Sequence, residues 1–223
     1  MLEKEFFLGK VKEGIAQDKL LKLKKYGACV VSDAMGGFNA MSGAIKSQVP
    51  GKSICGRAIT VGLRPGDKLL LHKAIEIAEP GDVLVIATGC DYRHAVIGGI
   101  MSYAAFTKKK IAGLVVDGAV RDIEEIRANG YPVFAAAIVP NTGDNEGPGM
   151  LNKPISCGNV PVLPGDIIVA DDNGVAVVPA DDYEYVLQKC GEKILKEDQR
   201  KKEIDAGHIT AHGILDKLEK KGY

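Results

Sequence analysis

Apolar residues in this chain fall into short runs, and the spacing within each run predicts its element. Leu20 to Tyr26 repeats its apolar positions at helical spacing after Asp18, a residue suited to cap a helix. Ala28 to Val31 is short, apolar and partly β-branched, which predicts a buried strand. Further strands are predicted at Ala58 to Leu63, Val83 to Ala87, Gly113 to Val116, Val133 to Ala136, Ile167 to Ala170 and Val175 to Val178. Helical patterns lie between them near Lys68 to Ala78, Ala95 to Lys110 and Asp122 to Asn129. A long one follows from Asp181 to about Asp205, and the tail from His208 to Leu218 has room for one more short helix. Strands that alternate with helices and then crowd together from Val133 to Val178 predict an α/β core with a β-rich layer.

Punctuation supports this division. Pro-Gly-Asp occurs at Pro65 to Asp67, Pro80 to Asp82 and Pro164 to Asp166, each time ahead of an apolar run. Proline presets the first turn angle and glycine accepts a positive φ, so each triplet predicts a tight turn that launches a new element. Asp171 to Gly174 reads as a hairpin turn, because the spacing and distal Glu of a calcium loop are missing. No linker of Pro, Gly or Ser divides the 223 residues, so one domain spanning residues 1–223, with helical extensions at both ends, is expected.

Charge and composition narrow the function. Lys and Arg total 29 against 29 Asp and Glu, and aromatics are 5% with no Trp. This gives neither the basic footprint nor the stacking platforms of a nucleic-acid binder, so no nucleic-acid partner is expected. The N-terminal MLEKEFFLGKVKEG has charges on both sides of a short apolar run, unlike a signal peptide, and no run of about 18 apolar residues marks a membrane span. Five scattered cysteines, Cys29, Cys55, Cys90, Cys157 and Cys190, form no CxxC pair and cannot all close into disulfides. A reducing, cytoplasmic setting is expected.

Candidate chemistry concentrates between Gly98 and Ile126. Gly98 and Gly99 precede an apolar-periodic helix, where free N–H groups and the macrodipole favour a small carboxylate; a plain tight joint between loop and helix is the alternative. Asp117-Gly118 is expected to end the strand from Gly113. Arg121 then offers a planar fork for a carboxylate or 2-oxo acid, and Asp122 a hard oxygen ligand for Mg²⁺ or Mn²⁺. Competing with that reading, Asp122 with Glu125 three residues on matches a capping box, which would leave Arg121 as a surface charge. Asp91, Arg93 and His94 stand in a loop close enough in sequence to approach a ligand. His208 and His212 sit four apart without the HExxH glutamate, so they make a weak zinc motif. No Walker A lysine loop, GxSxG elbow or GxGxxG after a strand is present.

These residues lie within a wider resemblance. GRAITV at Gly56 to Val61, PGDKLLLHKAI at Pro65 to Ile75, PGDVLVI at Pro80 to Ile86, IAGLVVDGAVRDIEEI ending at Ile126, YPVFA at Tyr131 to Ala135 and VLPGDIIVADDNGVAVVP at Val162 to Pro179 resemble the RraA-like family. That family includes class II 4-hydroxy-4-methyl-2-oxoglutarate / 4-carboxy-4-hydroxy-2-oxoadipate aldolases and regulators of ribonuclease activity. The resemblance implies a layered β/β/α, swivelling-type α/β domain, a homotrimer or dimer of trimers, and a small 2-oxo acid substrate. It implies pyruvate binding at the backbone of Gly99, Ile100, Met101 and Ser102, a substrate-holding Arg121 and a divalent metal, Mg²⁺ or Mn²⁺, on Asp122. It also implies help from a neighbour's C-terminal helix, for which Glu197 is the candidate.

One position departs from the aldolase pattern. An acidic residue is expected 21 positions before the Arg, and Ile100 stands there. Isoleucine cannot hold metal water or move a proton, so either another carboxylate serves or the activity has changed. By this reading aldol cleavage suffers more than oxaloacetate decarboxylation, which requires no hydroxyl to be deprotonated. The alternatives are a non-catalytic regulator that binds a ribonuclease or helicase, and a lyase or dehydratase acting on a sugar-derived acid.

Overall fold

The computed structural model describes residues 6–10 and 15–223. Most of the N-terminal stretch read above for export signals lies outside them. Strand β1 (Phe6–Leu8) enters first and is followed by helices α1 (Gln17–Lys24) and α2 (Gly27–Ala34), so the N-terminal extension is only partly helical. Helix α2 occupies the segment predicted as a strand. Its buried residues are Ala28 and Val31, three apart on one helical face, and Gly27 turns the chain at φ +73°. Asp171 Oδ2 accepts the Ala28 N–H at 2.9 Å from across the molecule. A distant carboxylate thus stabilises the helix start and overrides the local β-branched preference.

Strands β2 (Lys46–Ser47) and β3 (Ile54–Leu63) come next, then α3 (Leu69–Ile77), β4 (Val83–Ala87) and β5 (Ala95–Ile97). The periodic run from Ala95 therefore begins as a strand. All three residues of β5 are buried, Ala95 and Ile97 pair in parallel with the end of β6 (Gly113–Val120), and only then does helix α4 (Gly99–Tyr103) start, continuing as a π-helical turn over Ala104–Lys108. Strand β6 also runs past its expected stop at Asp117-Gly118. Its pairing with β7 (Val133–Ile138) shifts register between Val116 and Ala119, and the buried Asp117 accepts the Thr88 N–H at 2.6 Å and the Thr88 hydroxyl at 2.8 Å. Gly118 fits there because a β-carbon would fall 2.7 Å from Asp91 O. Helix α5 (Ile123–Ala128) connects β6 to β7. The β-rich stretch then supplies β8 (Gly149–Leu151), β9 (Ile155–Cys157), β10 (Val160–Val162), β11 (Ile167–Asp171) and β12 (Gly174–Val178), before α6 (Tyr183–Asp205) and α7 (Ile214–Glu219).

Strand β3 organises the layers. Its second half pairs in parallel with β4 and antiparallel with β8, while its first half pairs antiparallel with β11. The parallel series β3-β4-β6-β7 makes the centre of the main sheet. One apolar cluster, including Leu71, Ile86, Leu114 and Ile126, fills the space between that sheet and helices α3, α4 and α5. A second, around Phe134, Val85 and Ile168, lies between the sheet and the later hairpins. A third, around Leu23, Val31, Val169 and Val186, seats α1, α2 and α6. A layered, mixed α/β architecture results, as the sequence predicted.

All three Pro-Gly-Asp triplets turn with positive φ at glycine: Gly66 at +75°, Gly81 at +90° and Gly165 at +92°. Each aspartate is buried and binds backbone amides. At the second turn Asp82 also meets Arg57 of β3, with Nε to Oδ1 at 2.8 Å and Nη2 to Oδ2 at 2.9 Å. Removing Arg57 would leave a buried carboxylate without its bidentate partner, a loss of about 3–5 kcal/mol for pairs of this kind. Arg57→Met is expected to lower the urea midpoint of unfolding accordingly. A change below about 1 kcal/mol would show that the pair contributes no more than a surface contact.

Candidate functional site

The turn after β6 puts a charged pair where two helices begin. Asp122 adopts left-handed backbone angles, φ +55° and ψ +43°, a conformation that costs a non-glycine residue about 1–3 kcal/mol. It occupies the N-cap position of α5, yet its side chain makes no capping hydrogen bond there, so the capping-box reading fails. Instead Asp122 Oδ2 accepts the N–H of Gly99 at 2.9 Å. Arg121 is anchored through its own N–H to Ile97 O at 3.0 Å, with its Nε 3.7 Å from Asp122 Oδ2.

Space rather than φ favours glycine at Gly98, whereas the crowding at Gly99 comes only from the movable end of the exposed Glu125 side chain. Gly98 is extended, at φ −143° and ψ −164°. A β-carbon on it would fall 2.9 Å from Arg121 Cγ and would also run into Asp122 Oδ2. One on Gly99 would meet the carboxyl of Glu125, 2.5 Å from Cδ and 2.9 Å from Oε1. The glycine pair thus lets Arg121, Asp122 and Glu125 close against the start of α4.

Among the four residues expected to present amides, two are already committed. Gly99 donates to Asp122, and Ser102 donates to Gly98 O at 3.0 Å, closing the first helical hydrogen bond. The fourth amide from a helix start always meets that carbonyl, so Ser102 is corrected to a helix-closing residue. Ile100 and Met101 keep the first-turn amides that a ligand can use. Both line a small cavity of about 70 Å³ together with Gly98, Arg121 and Asp122. A second, more open cavity of about 330 Å³ shares Arg121 and Asp122 and is walled by Glu124, Ile138 and Pro140. The first is too small for the nucleotides and drug-sized ligands that occupy pockets of about 300–1,000 Å³.

Lys68 and Thr142 also line the small cavity, beside Val96 and Ile97 of β5, and no local sequence pattern points to either. The first Pro-Gly-Asp turn brings them in. Asp67 accepts the N–H groups of Leu69 at 2.9 Å, Glu146 at 2.8 Å and Gly147 at 2.7 Å, tying the turn to the 141–147 loop. Lys68 donates to Gly143 O through its ammonium, and its N–H reaches Asp144 O at 3.1 Å. The only sequence signal was the Lys directly after the triplet, because the loop that meets it lies some 75 residues on. Burial works to raise the Asp67 pKa, and the three amide hydrogen bonds reverse this, holding it below the ordinary carboxylate range.

Other candidates fall elsewhere. Asp91 is buried, and its Oδ2 lies 2.8 Å from His94 Nδ1; hydrogen bonds from His94 and Arg93 outweigh burial and depress its pKa. His208 and His212 lie in the turn between α6 and α7 instead of on one helical face, and His212 Nε2 is 3.4 Å from Glu203. Glu197 sits on α6, 3.6 Å from Lys193, on a helix that packs against α2. The larger cavity, about 400 Å³ beside β8, is mainly apolar and has Arg64 as its one charged lining residue. All five cysteines are free thiols. Among the described residues no helix is long and apolar enough to cross a membrane.

No group of three or more His, Cys, Asp or Glu side chains among the described residues is placed to hold a metal. That excludes a closed zinc-type cage there. Asp122 puts one exposed carboxylate on the lining of the small cavity, a donor set that fits Mg²⁺ or Mn²⁺, since hard cations of this kind keep several waters and take one or two carboxylates.

The profile of the RraA-like family, described as Aldolase/RraA, matches residues 28–177. A protein of Halalkalibacterium halodurans, provisionally named 4-hydroxy-4-methyl-2-oxoglutarate aldolase, is 38% identical over 188 residues, covering 84% of this chain and 89% of its own. A Thermus thermophilus protein named 4-hydroxy-4-methyl-2-oxoglutarate aldolase is 37% identical over 113 residues, 51% of this chain and 68% of its own. Among solved structures, RraAS2 of Streptomyces coelicolor, described as an unusual member of the RNase ES inhibitor RraA family, superimposes with a TM-score of 0.75. It is 25% identical, over 85% of this chain and 98% of its own.

The depressed pKa of Asp67 sets a direction for acid stability. Its stabilisation is complete above the unfolded carboxylate pKa of about 3.9 and is lost as pH falls through the lower folded value. Urea unfolding at a series of pH values should show Asp67→Asn less stable than wild type near neutrality, with the gap closing below about pH 4. A gap that stays constant with pH would mean that the charge of Asp67 is not what holds the loop.

Proposed function

Because the chain belongs to the RraA-like family, we propose that it is a divalent-metal-dependent lyase that releases pyruvate from 4-hydroxy-2-oxo acids and also decarboxylates oxaloacetate. The observation carrying this reading is Asp122: a strained residue whose carboxylate is turned away from its own helix and towards the Arg121 cleft. A surface cap would need neither the strain nor the neighbouring cation. In the proposed arrangement the amides of Ile100 and Met101 bind the substrate carboxylate, Arg121 holds the 2-oxo acid, and Lys68 adds positive charge opposite Asp122. Mg²⁺ or Mn²⁺ on Asp122, when bound, supplies the Lewis acidity that draws electrons towards the 2-oxo group. Arg121 and Lys68 then favour the enolate left when the carbon-carbon bond breaks, because their fixed charges face it without reorganising.

The assembly proposed with this activity is a trimer or dimer of trimers in the cytoplasm. Ile100 is 85% exposed, and Tyr103 and Ile138 are also open to solvent, so the site's rim is apolar and uncovered within one chain. A neighbour's α6, carrying Glu197, would cover it. Ile100 favours a second reading, a non-catalytic regulator of a ribonuclease or helicase, since it removes an acidic group from the aldolase pattern; the description of the Streptomyces relative supports the same reading. A lyase or dehydratase for a sugar-derived acid is the third reading, tested by the same substrate panel.

Pyruvate release from 4-hydroxy-2-oxo acids and oxaloacetate, with and without Mg²⁺ or Mn²⁺, separates these readings. Metal-stimulated release is expected; none with any substrate would favour the regulator. Asp122→Asn should abolish metal stimulation while costing about 1 kcal/mol or less in stability, since Asn tolerates both the left-handed region and a helix start. Turnover with unchanged metal dependence would exclude Asp122 as the ligand. Arg121→Lys is expected to cut kcat/KM by about tenfold to a thousandfold, through loss of the planar fork. Lys68→Met should raise KM by about tenfold for substrates with two carboxylates. Unchanged kinetics in both variants would place the substrate elsewhere.

A further inference from the structure

Aldol cleavage sets a requirement that Ile100 cannot meet. The 4-hydroxyl O–H bond must break as C4=O forms and the C3–C4 bond opens, leaving the electron pair on C3 of an enolate. The abstracted proton then has to reach C3 to complete the methyl group of pyruvate. Some group must hold that proton in between, and isoleucine has no atom able to do so.

We propose that Glu125 is the proton-carrying carboxylate of this site and takes the place of the acidic residue absent at Ile100; this assignment rests on the lyase reading above. Glu125 lies one helical turn after Asp122, in the first turn of α5. Its carboxyl is folded back against Gly99, the residue immediately before Ile100, close enough that a β-carbon at Gly99 would fall 2.5 Å from Cδ and 2.9 Å from Oε1. Asp122 Oδ2 holds the N–H of that same Gly99 at 2.9 Å. The carboxylates of Asp122 and Glu125 therefore converge on Gly99, which stands between the cavity-lining residues Gly98 and Ile100, approached from α5 instead of from α4.

Two further observations separate Glu125 from its competitors. It is exposed, and among the described residues its carboxylate enters no ion pair and accepts no side-chain hydrogen bond, so no partner has to be displaced before it acts. His94, the other proton carrier nearby, is tied through Nδ1 to the buried Asp91 and packs beside Gly66, away from Gly99. Glu124 lines the open cavity, which Ile100 and Met101 do not share.

The test compares Glu125→Gln, Glu124→Gln, His94→Asn and the double variant Ile100→Glu with Glu125→Gln, all assembled as the intact protein with Mg²⁺. Pyruvate release from 4-hydroxy-4-methyl-2-oxoglutarate, CO₂ loss from oxaloacetate, calorimetric oxalate binding and the thermal midpoint without metal are measured for each. Glu125→Gln is expected to lower kcat for aldol cleavage about a hundredfold or more, within the range of general acid-base catalysis. KM, oxalate affinity and the thermal midpoint should stay near wild type, and decarboxylation should fall far less. Ile100→Glu should restore at least part of the lost kcat by returning a carboxylate to the other side of Gly99. The assignment is overturned if Glu125→Gln cleaves as fast as wild type, or if both reactions and the thermal midpoint fall together, which marks a structural role. It is equally overturned if Glu124→Gln or His94→Asn alone loses cleavage. A wild-type protein that releases neither pyruvate nor CO₂ removes the lyase reading itself, an outcome visible before any variant is made.

Discussion

The hydrogen bond from Gly99 N–H to Asp122 Oδ2 is the constraint around which the site is organised. It joins the start of α4 to the start of α5 across 23 residues of sequence, and it forms only because Asp122 accepts left-handed backbone angles. The strain costs about 1–3 kcal/mol, and a hydrogen bond to a charged group contributes about 1.5–3 kcal/mol, so the two nearly cancel. What remains is geometry: a carboxylate fixed beside Arg121 and two unspent amides. Gly98 follows from it, since a β-carbon there would push Arg121 and Asp122 away.

The sheet makes that bond possible. All eight residues of β6 are buried, and β5 lies in parallel register beside its end, so the two loops leave the sheet side by side. Buried aspartates do the remaining positioning. Asp82 locks the β4 turn to Arg57, Asp117 holds Thr88, and Asp67 draws the 141–147 loop over Lys68. Each binds amides or a cation that would otherwise be unpaired, and the Asp67 turn in this way holds Lys68 and the 141–147 loop at the cleft.

What could be read from sequence divides along the same physical line. Val83–Ala87 and Val175–Val178 were placed within a residue because a continuous apolar run between turn signals has few alternatives. Ala28 to Val31 was misassigned as a strand because the carboxylate that stabilises its helix comes from Asp171, far away in sequence. Ala95 to Ile97 was absorbed into a helix because its partner strand could not be foreseen. In the site, Arg121, Asp122 and the glycine pair were legible from local pattern and from resemblance. Ser102 was misread because helix bookkeeping, and not residue type, decides which amides are free. Lys68, Thr142 and the reach of Glu125 back to Gly99 depend on contacts that no local pattern encodes.

An uncovered site also limits what its charges can do. Within one chain the Arg121 and Asp122 side chains are 41% and 44% exposed, so water screens them. Two unit charges 4 Å apart interact by about 1 kcal/mol in bulk water and about 4 kcal/mol at the effective dielectric of a protein surface. Stabilising an enolate requires the second regime. Substrate alone covers the small cavity, whereas the apolar rim at Ile100, Tyr103 and Ile138 needs a larger lid. Helix α6 is built on a suitable scale. At 23 residues it runs about 35 Å, and its buried positions, Tyr183, Val186 and Cys190, all lie in its first half. The second half, with Glu197 and the exposed Leu195, has little to pack on in its own chain. A helix half with few packing partners in its own chain and an apolar cleft rim without a cover are complementary deficits, and closing one with the other would dry the charges that the proposed chemistry uses.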